Sequence, residues 1–284
     1  MKALVVRLDS FGDVLLAGPA VRAVAAGCSH LTMLCGPRGA DAARMLPTAP
    51  LLRLAGVGRI GADSVDHPGR LLDERHRRLP DRHEAQAALD TATALGFPPT
   101  AGDDGPLHVV PPPDTGALTG HGPYAVLHPG ASAPARAWSP DRCAEAVALL
   151  ADAGHRVVVT GGPGERALTR RVAGDLAVDL GGRTTARTLA GVLRMADAVV
   201  SANTGPAHLA AAVGTPVVSL FAPVVPAGRW APYGVPVILL GDPSAPCADT
   251  RALVWPVPGH PCQDEVTGQD VVRAVHKLMQ EGSS

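Results

Sequence analysis

Short apolar, β-branched runs alternate along this chain with longer stretches of helical periodicity, and that alternation sets the expected architecture. The chain opens on KALVVRL, a strand candidate, followed by the turn DSFGD, the helical run VLLAGPAVRAVAA and a second strand, LTMLC. That is a βαβ opening. Between Gly36 and Gly120 the pattern weakens: PLLRLAG reads as an apolar helix and RIGA as a short strand, after which Arg, Asp, His and Pro abound. The segment DDGPLHVVPPPDTGALTGHGP is too rich in Gly and Pro to continue a helix or a central strand, and it marks a linker between domains. Beyond it YAVLHPG, HRVVVTGG, AVDLGG, AVVSAN, TPVVSLF and VPVILLG are strand candidates, and PDRCAEAVALLADAG, ERALTRRVAGD and TTARTLAGVLRMADA are helical runs separating the first four. Strands joined through helices pair in parallel, because a parallel pair needs a long crossover. The expected class is therefore α/β with doubly wound parallel sheets. The expected division is an N-terminal domain over residues 1–118, a second domain over 119–268 and a closing amphipathic helix over 269–284, around QDVVRAVHKLMQ.

Composition narrows the function. A chain of 284 residues with 46% hydrophobic content can build two cores. Lys plus Arg number 25 against 26 Asp plus Glu, for a net charge of -1, so there is no broad positive field and nucleic acid is excluded as a partner. Arg7, Asp9 and Asp13 interrupt the first segment where a signal peptide needs an apolar stretch, and no run reaches the roughly 18 apolar residues of a spanning helix. The expected location is the cytoplasm. The cysteines Cys28, Cys35, Cys143, Cys247 and Cys262 contain no C-x-x-C pair and read as free thiols of a reducing compartment. Cys247 and Cys262, near His260, are the one spot where a metal or disulfide can be considered, and loop thiols without chemistry are the simpler reading. No metal site and no cofactor are expected.

In a doubly wound sheet the ligand crevice lies outside the carboxyl ends of the strands, so the loops that follow them are where chemistry is sought. In SANTGPAHLAAAVG, Thr204 can cap a helix, Pro206 suits its first turn, and the amides near Gly205 face any anion above them. His208 falls on the same helical face as Thr204. This is a diphosphate seat or, equally, an ordinary capped helix with a satisfied histidine. HPGASAPARAWSP offers the Ser132 hydroxyl and the Arg136 guanidinium, whose fork of donors matches phosphate oxygens; alone, Arg136 would be a solvated cation and Trp138 a core anchor. TGGPGER provides glycines, Gly162 among them, for close approach and Glu165 for ribose hydroxyls. DSFGDV places Asp9 and Asp13 around the turn after the first strand. An acidic residue there is commonly a helix cap, but a carboxylate facing a diphosphate seat can also serve as the general base of a sugar transfer, and Asp13 is the candidate.

Taken in order, RLDSFGDVLLAGPAVRA, HPGASAPARAWSPDR, GGPGER and NTGPAHLAAAVGTPVVSLFAP resemble the signatures of the ADP-heptose:lipopolysaccharide heptosyltransferases, glycosyltransferase family 9. The resemblance covers the first strand-loop-helix and nearly all of the chain from Tyr124 onward. It implies a GT-B architecture, two Rossmann-like domains facing across a cleft, with an inverting, metal-independent transfer. It also implies Asp13 as the catalytic aspartate, Ser132 and Arg136 on the phosphates, Glu165 at the ribose, and Thr204, Gly205 and His208 at the donor-binding helix start; Gly162 and Asn203 are further donor-site candidates. The implied partners are an ADP-sugar donor and a glycan or small-molecule acceptor, with peripheral membrane contact where that acceptor is membrane-linked. Two features depart from the family. Asn203 stands where an aspartate precedes T-G, and the first domain is several dozen residues short, passing directly from MLPTAP to LLRLAG. A nicotinamide dehydrogenase is set aside because DSFGDV lacks the spaced glycines of its fingerprint. A sugar-nucleotide epimerase and a non-catalytic or partner-dependent donor-binding protein stay open.

Overall fold

The computed structural model describes residues 1–7, 10–35, 61–63, 74–103, 105–256, 258 and 261–281. The expected helix PLLRLAG, the first two residues of RIGA, and Asp9 and His260 lie outside these residues; the other two residues of RIGA open a strand. The chain divides into two units, Met1–Val110 and Pro111–Ser284.

In the first unit β1 (Lys2–Arg7) runs parallel to β2 (His30–Cys35), with Lys2 opposite His30 and Arg7 opposite Cys35. The crossover between them, expected as one helical run, is two helices, α1 (Phe11–Leu16) and α2 (Gly18–Ala26), meeting at Ala17. Pro19 accounts for the break: it has no amide hydrogen and its ring crowds the carbonyl of Leu15. Val14, Leu15, Val21 and Val24 of these helices are buried. A second parallel pair joins β3 (Gly61–Asp63) to β4 (Glu74–His76). Helix α3 (Glu84–Ala94) packs on α2, and nothing in the hydrophobic pattern announced it. Its sequence, EAQAALDTATA, is built of strong helix formers, but alanine supplies most of its apolar face and leaves a faint period. The N-cap is His83, whose Nδ1 accepts from the Ala85 amide at 3.2 Å.

The second unit opens on a one-turn helix, α4 (Gly116–Thr119), inside the stretch read as pure linker. All six expected strands then form: β5 (Ala125–His128), β6 (Val157–Val159), β7 (Val178–Asp179), β8 (Ala198–Ala202), β9 (Val217–Leu220) and β10 (Val237–Leu240). They make one parallel sheet in the order β10-β9-β8-β5-β6-β7. The helices α5 (Pro140–Asp152), α6 (Arg166–Ala173), α7 (Ala186–Arg194), α8 (Gly205–Ala212) and α9 (Ala227–Trp230) fall between the strands, and α10 (Pro261–Asp264) and α11 (Gly268–Glu281) follow them. A parallel sheet covered on both faces needs strands that are apolar throughout, and Val126, Val158, Val199, Val200, Val217 and Val218 are wholly buried. Helix α11 packs on α5 and sends Val271, Val275 and Leu278 into the same core. Cys143 of α5 lies in that core, where burial pushes its thiol up to about 12, so it packs as a small hydrophobe. Among the described residues no helix is long and apolar enough to cross a membrane.

The strand order positions the site. From β5 the chain winds one way through β6 to β7, then returns through α7 to β8 on the other side of β5 and continues to β9 and β10. The loops after β5 and β8 therefore lead away in opposite directions, leaving a crevice at their carboxyl ends.

Candidate functional site

Three loops build the site in the second unit. The loop after β5 carries Gly130, Ser132 and a 3-10 turn, Pro134–Arg136. Ser132 is exposed and Arg136 half-buried. The Arg136 Nη1 donates to the Asn203 carbonyl at 3.4 Å, joining the β5 loop to the β8 loop at the point where they diverge. The turn is fixed from the other side. The Ala135 amide donates to the Leu253 carbonyl at 3.1 Å, the Trp255 indole N–H donates to the Pro134 carbonyl, and Ala135 packs against Ala222, Val224, Cys247 and Cys262. Ser139 and Pro140 start α5 as expected, although the Ser139 hydroxyl makes no capping bond.

The loop after β8 holds two buried polar oxygens with no hydrogen-bond partner among the described residues. Asn203 is 4% exposed; its Nδ2 donates to the Ala222 carbonyl at 3.3 Å, which fixes the amide and turns Oδ1 away. Thr204 occupies the N-cap of α8 in an extended conformation, φ -137° and ψ -179°, but its side chain does not cap the helix. That corrects the expectation of a Thr204 cap. Asn203 Oδ1 and Thr204 Oγ1 are buried with no hydrogen-bond partner among the described residues. Each such atom costs about 1–3 kcal/mol, so a ligand that supplies donors there recovers that cost. Gly205 and Pro206 form the first turn of α8, and His208, 6% exposed, lies one turn on.

The third loop follows β6. Glu165 folds back so that its Oε2 accepts from the Gly162 amide at 2.6 Å, and the His128 Nε2 faces the same oxygen at 3.9 Å. The other ring nitrogen of His128 meets Thr160 Oγ1 at 2.9 Å. A methyl group on Gly130 would fall 1.9 Å from Glu165 Oε1, and one on Gly161 would come 2.5 Å from Thr169 Cγ2. Gly130 and Gly161 thus make room for the protein's own side chains. His128 escaped the sequence reading; its signal was an ionisable residue at the end of an otherwise apolar strand. Burial pushes its imidazole pKa down and the Glu165 charge pulls it up, burial prevailing, so the ring is neutral at pH 7.

Asp13 belongs to the first unit. It is the third residue of α1 and forms a capping box: the Ser10 amide donates to its Oδ2 at 3.0 Å and the Ser10 hydroxyl at 2.6 Å. The Arg7 Nη2 reaches its Oδ1 at 3.2 Å. The side chain retains 15% exposure. Among the described residues no group of three His, Cys, Asp or Glu is arranged to hold a metal ion.

The model of glycosyltransferase family 9 (heptosyltransferase) matches residues 77–253, more than half of the chain. No protein of curated function matches the sequence at a significant level. Among solved structures, a family 9 glycosyl transferase from Veillonella parvula superposes with a TM-score of 0.78 at 16% identity, covering 99% of this chain and 97% of that one. The ADP-heptose LPS heptosyltransferase II of E. coli gives 0.75 at 17% identity, covering 100% of both chains. TibC, a dodecameric iron-containing glycosyltransferase from enterotoxigenic E. coli, gives 0.65 at 16% identity over 100% of this chain and 77% of that one. At these identities the likeness is one of fold, and it agrees with the α/β class and parallel sheets of GT-B type read from the sequence. On the match of the family model, this chain belongs to glycosyltransferase family 9, the heptosyltransferase family.

Proposed function

We propose that the chain transfers heptose from ADP-heptose, with inversion and without a metal ion, to a hydroxyl of a glycan or small-molecule acceptor in the cytoplasm. The observation that carries this reading is the crevice between β5 and β8, where the buried, unpartnered Asn203 Oδ1 and Thr204 Oγ1 stand beside the Arg136 guanidinium and the start of α8. Helix amides and a guanidinium suit a diphosphate, and acceptor oxygens suit sugar hydroxyls. In this assignment Ser132, Arg136 and the amides at Gly205 and Pro206's neighbours hold the phosphates, and His208 adds a donor. Glu165, anchored at Oε2 by Gly162, turns Oε1 to the ribose. Asp13 takes the proton of the acceptor hydroxyl as its oxygen attacks the anomeric carbon, the bond from that carbon to the phosphate oxygen breaks, and ADP leaves with its charge met by Arg136.

The deciding experiment is a thermal-shift and calorimetry panel of ADP-, GDP-, UDP- and dTDP-sugars. The ADP-sugar is expected to give the largest shift, about 2.7 kcal/mol of stabilisation at a hundred times its dissociation constant. Equal or greater stabilisation by a UDP-sugar would overturn the ADP assignment. Turnover is expected to survive EDTA, because Arg136 and helix amides neutralise the diphosphate in place of a metal. The iron in TibC makes this a real contest, and activity lost to the chelator and restored by a divalent ion would decide against metal independence.

Gly130→Ala tests the ribose assignment. The atoms nearest its new methyl group are the carboxylate of Glu165, the far end of a flexible side chain, so the fold should hold while the carboxylate is displaced. Donor affinity is expected to fall about tenfold, some 1.4 kcal/mol, with little change in melting temperature. Unchanged affinity would remove Glu165 from the donor site. A second reading, a donor-binding protein without transfer, is favoured by one observation, the engagement of Asp13 in its helix cap. Tight donor binding with no transfer or hydrolysis over a panel of acceptors would support it.

A further inference from the structure

Beside Asp13, in the same unit, stands a carboxylate that no sequence motif pointed to. Glu84, the first residue of α3, has a side chain only 4% exposed. A buried charge persists only when it is paired, and two guanidiniums pair this one. Arg78 Nη2 lies 2.5 Å from Glu84 Oε1 and also donates to the Arg82 carbonyl at 3.3 Å. Arg7 Nη2 lies 3.8 Å from Glu84 Oε2, and it is this same nitrogen that donates to Asp13 at 3.2 Å. Arg7 is thus shared between two carboxylates, one held firmly by Arg78 and the other belonging to Asp13.

The sharing bears on what Asp13 can do. Its Oδ2 already accepts from both the amide and the hydroxyl of Ser10, and its Oδ1 accepts one longer bond from Arg7 at 3.2 Å, so the remaining lone pair of Oδ1 is where a proton can be taken. A guanidinium released from Glu84 would close fully onto Asp13, since a charge-assisted Arg–carboxylate pair tightens to two parallel bonds when geometry allows. That would shorten the bond Oδ1 already accepts and take up its remaining lone pair. We propose that Glu84 is a positioning residue: through Arg7 it keeps the Asp13 carboxylate open to the acceptor hydroxyl. The proposal rests on the reading of Asp13 as general base.

The test uses the full chain carrying Glu84→Gln together with Arg78→Gln, which removes one charge of each sign and leaves no stranded buried arginine. Its crystal structure is expected to have Arg7 drawn further onto Asp13, with the Nη2–Oδ1 distance shortened from 3.2 Å. With ADP-heptose and a lipopolysaccharide core oligosaccharide as acceptor, kcat is expected to fall about tenfold while donor KM and donor affinity stay within about twofold. Glu84→Asp, which keeps the charge, should recover part of the loss. An Arg7 that has not moved overturns the proposal even if that acceptor is not used. So does unchanged kcat with only a lowered melting temperature, which would make Glu84 a purely structural residue. Near-normal turnover by Asp13→Asn alone would bring down the base assignment and this inference with it; an essential Asp13 beside an indifferent Glu84 would bring down the inference only.

Discussion

Asp13→Asn is expected to abolish sugar transfer while leaving donor affinity within a few-fold of the native protein. A positioned general base contributes about 10²–10⁴-fold, and asparagine, close to isosteric with aspartate, cannot take the proton. Because the residue would act on the acceptor hydroxyl only as the bond forms, the loss should fall on kcat and kcat/KM alike and spare ground-state binding of the donor. The structure adds a second, smaller consequence. Asp13 closes a capping box with Ser10 and pairs with Arg7. Asparagine keeps one acceptor oxygen but loses the charge, so stability should drop by about 1 kcal/mol, the usual worth of such a cap. Activity and stability therefore separate the two readings of this residue. A variant that lost the stability but kept near-normal turnover would show Asp13 to be a cap and no more.

Arg136→Ala is expected to act in the opposite way, weakening the donor diphosphate by about one to two decades, or roughly 1.5–3 kcal/mol, the worth of a charge-assisted contact. The charge it meets is present before reaction begins, so donor Kd and KM should carry most of the change, and free ADP should lose as much as the ADP-sugar. The native guanidinium also bridges to the Asn203 carbonyl, so part of the loss will come from slackening between the β5 and β8 loops. Arg136→Lys separates the two: it keeps the charge but not the planar fork, and it should recover only part of the affinity. Donor binding that ignored Arg136→Ala would place the diphosphate elsewhere in the crevice.

Much of this was legible in the residues. The valine-rich strands and the helices between them fixed a parallel sheet, because a strand apolar on both faces has to be covered on both sides and a parallel pair has to be joined by a crossover. The donor-site candidates are placed by the same reasoning: Ser132, Arg136, Gly162, Glu165 and the Asn203–His208 segment all fall just after predicted strands. Helix α3 and the break at Ala17 were not legible, since alanine leaves a weak period and a proline can as readily open a helix as interrupt one. Sequence spacing could not reveal what depends on atoms brought together from distant positions. Only the fold decided that Gly130 makes room for Glu165, that Asn203 spends its amide on Ala222 and leaves its oxygen unpartnered, and that Glu84 shares Arg7 with Asp13. The periodicity of a chain reports which face of each element is buried, a local property; which polar atoms then meet is set by strand order and loop closure, and those exist only in three dimensions.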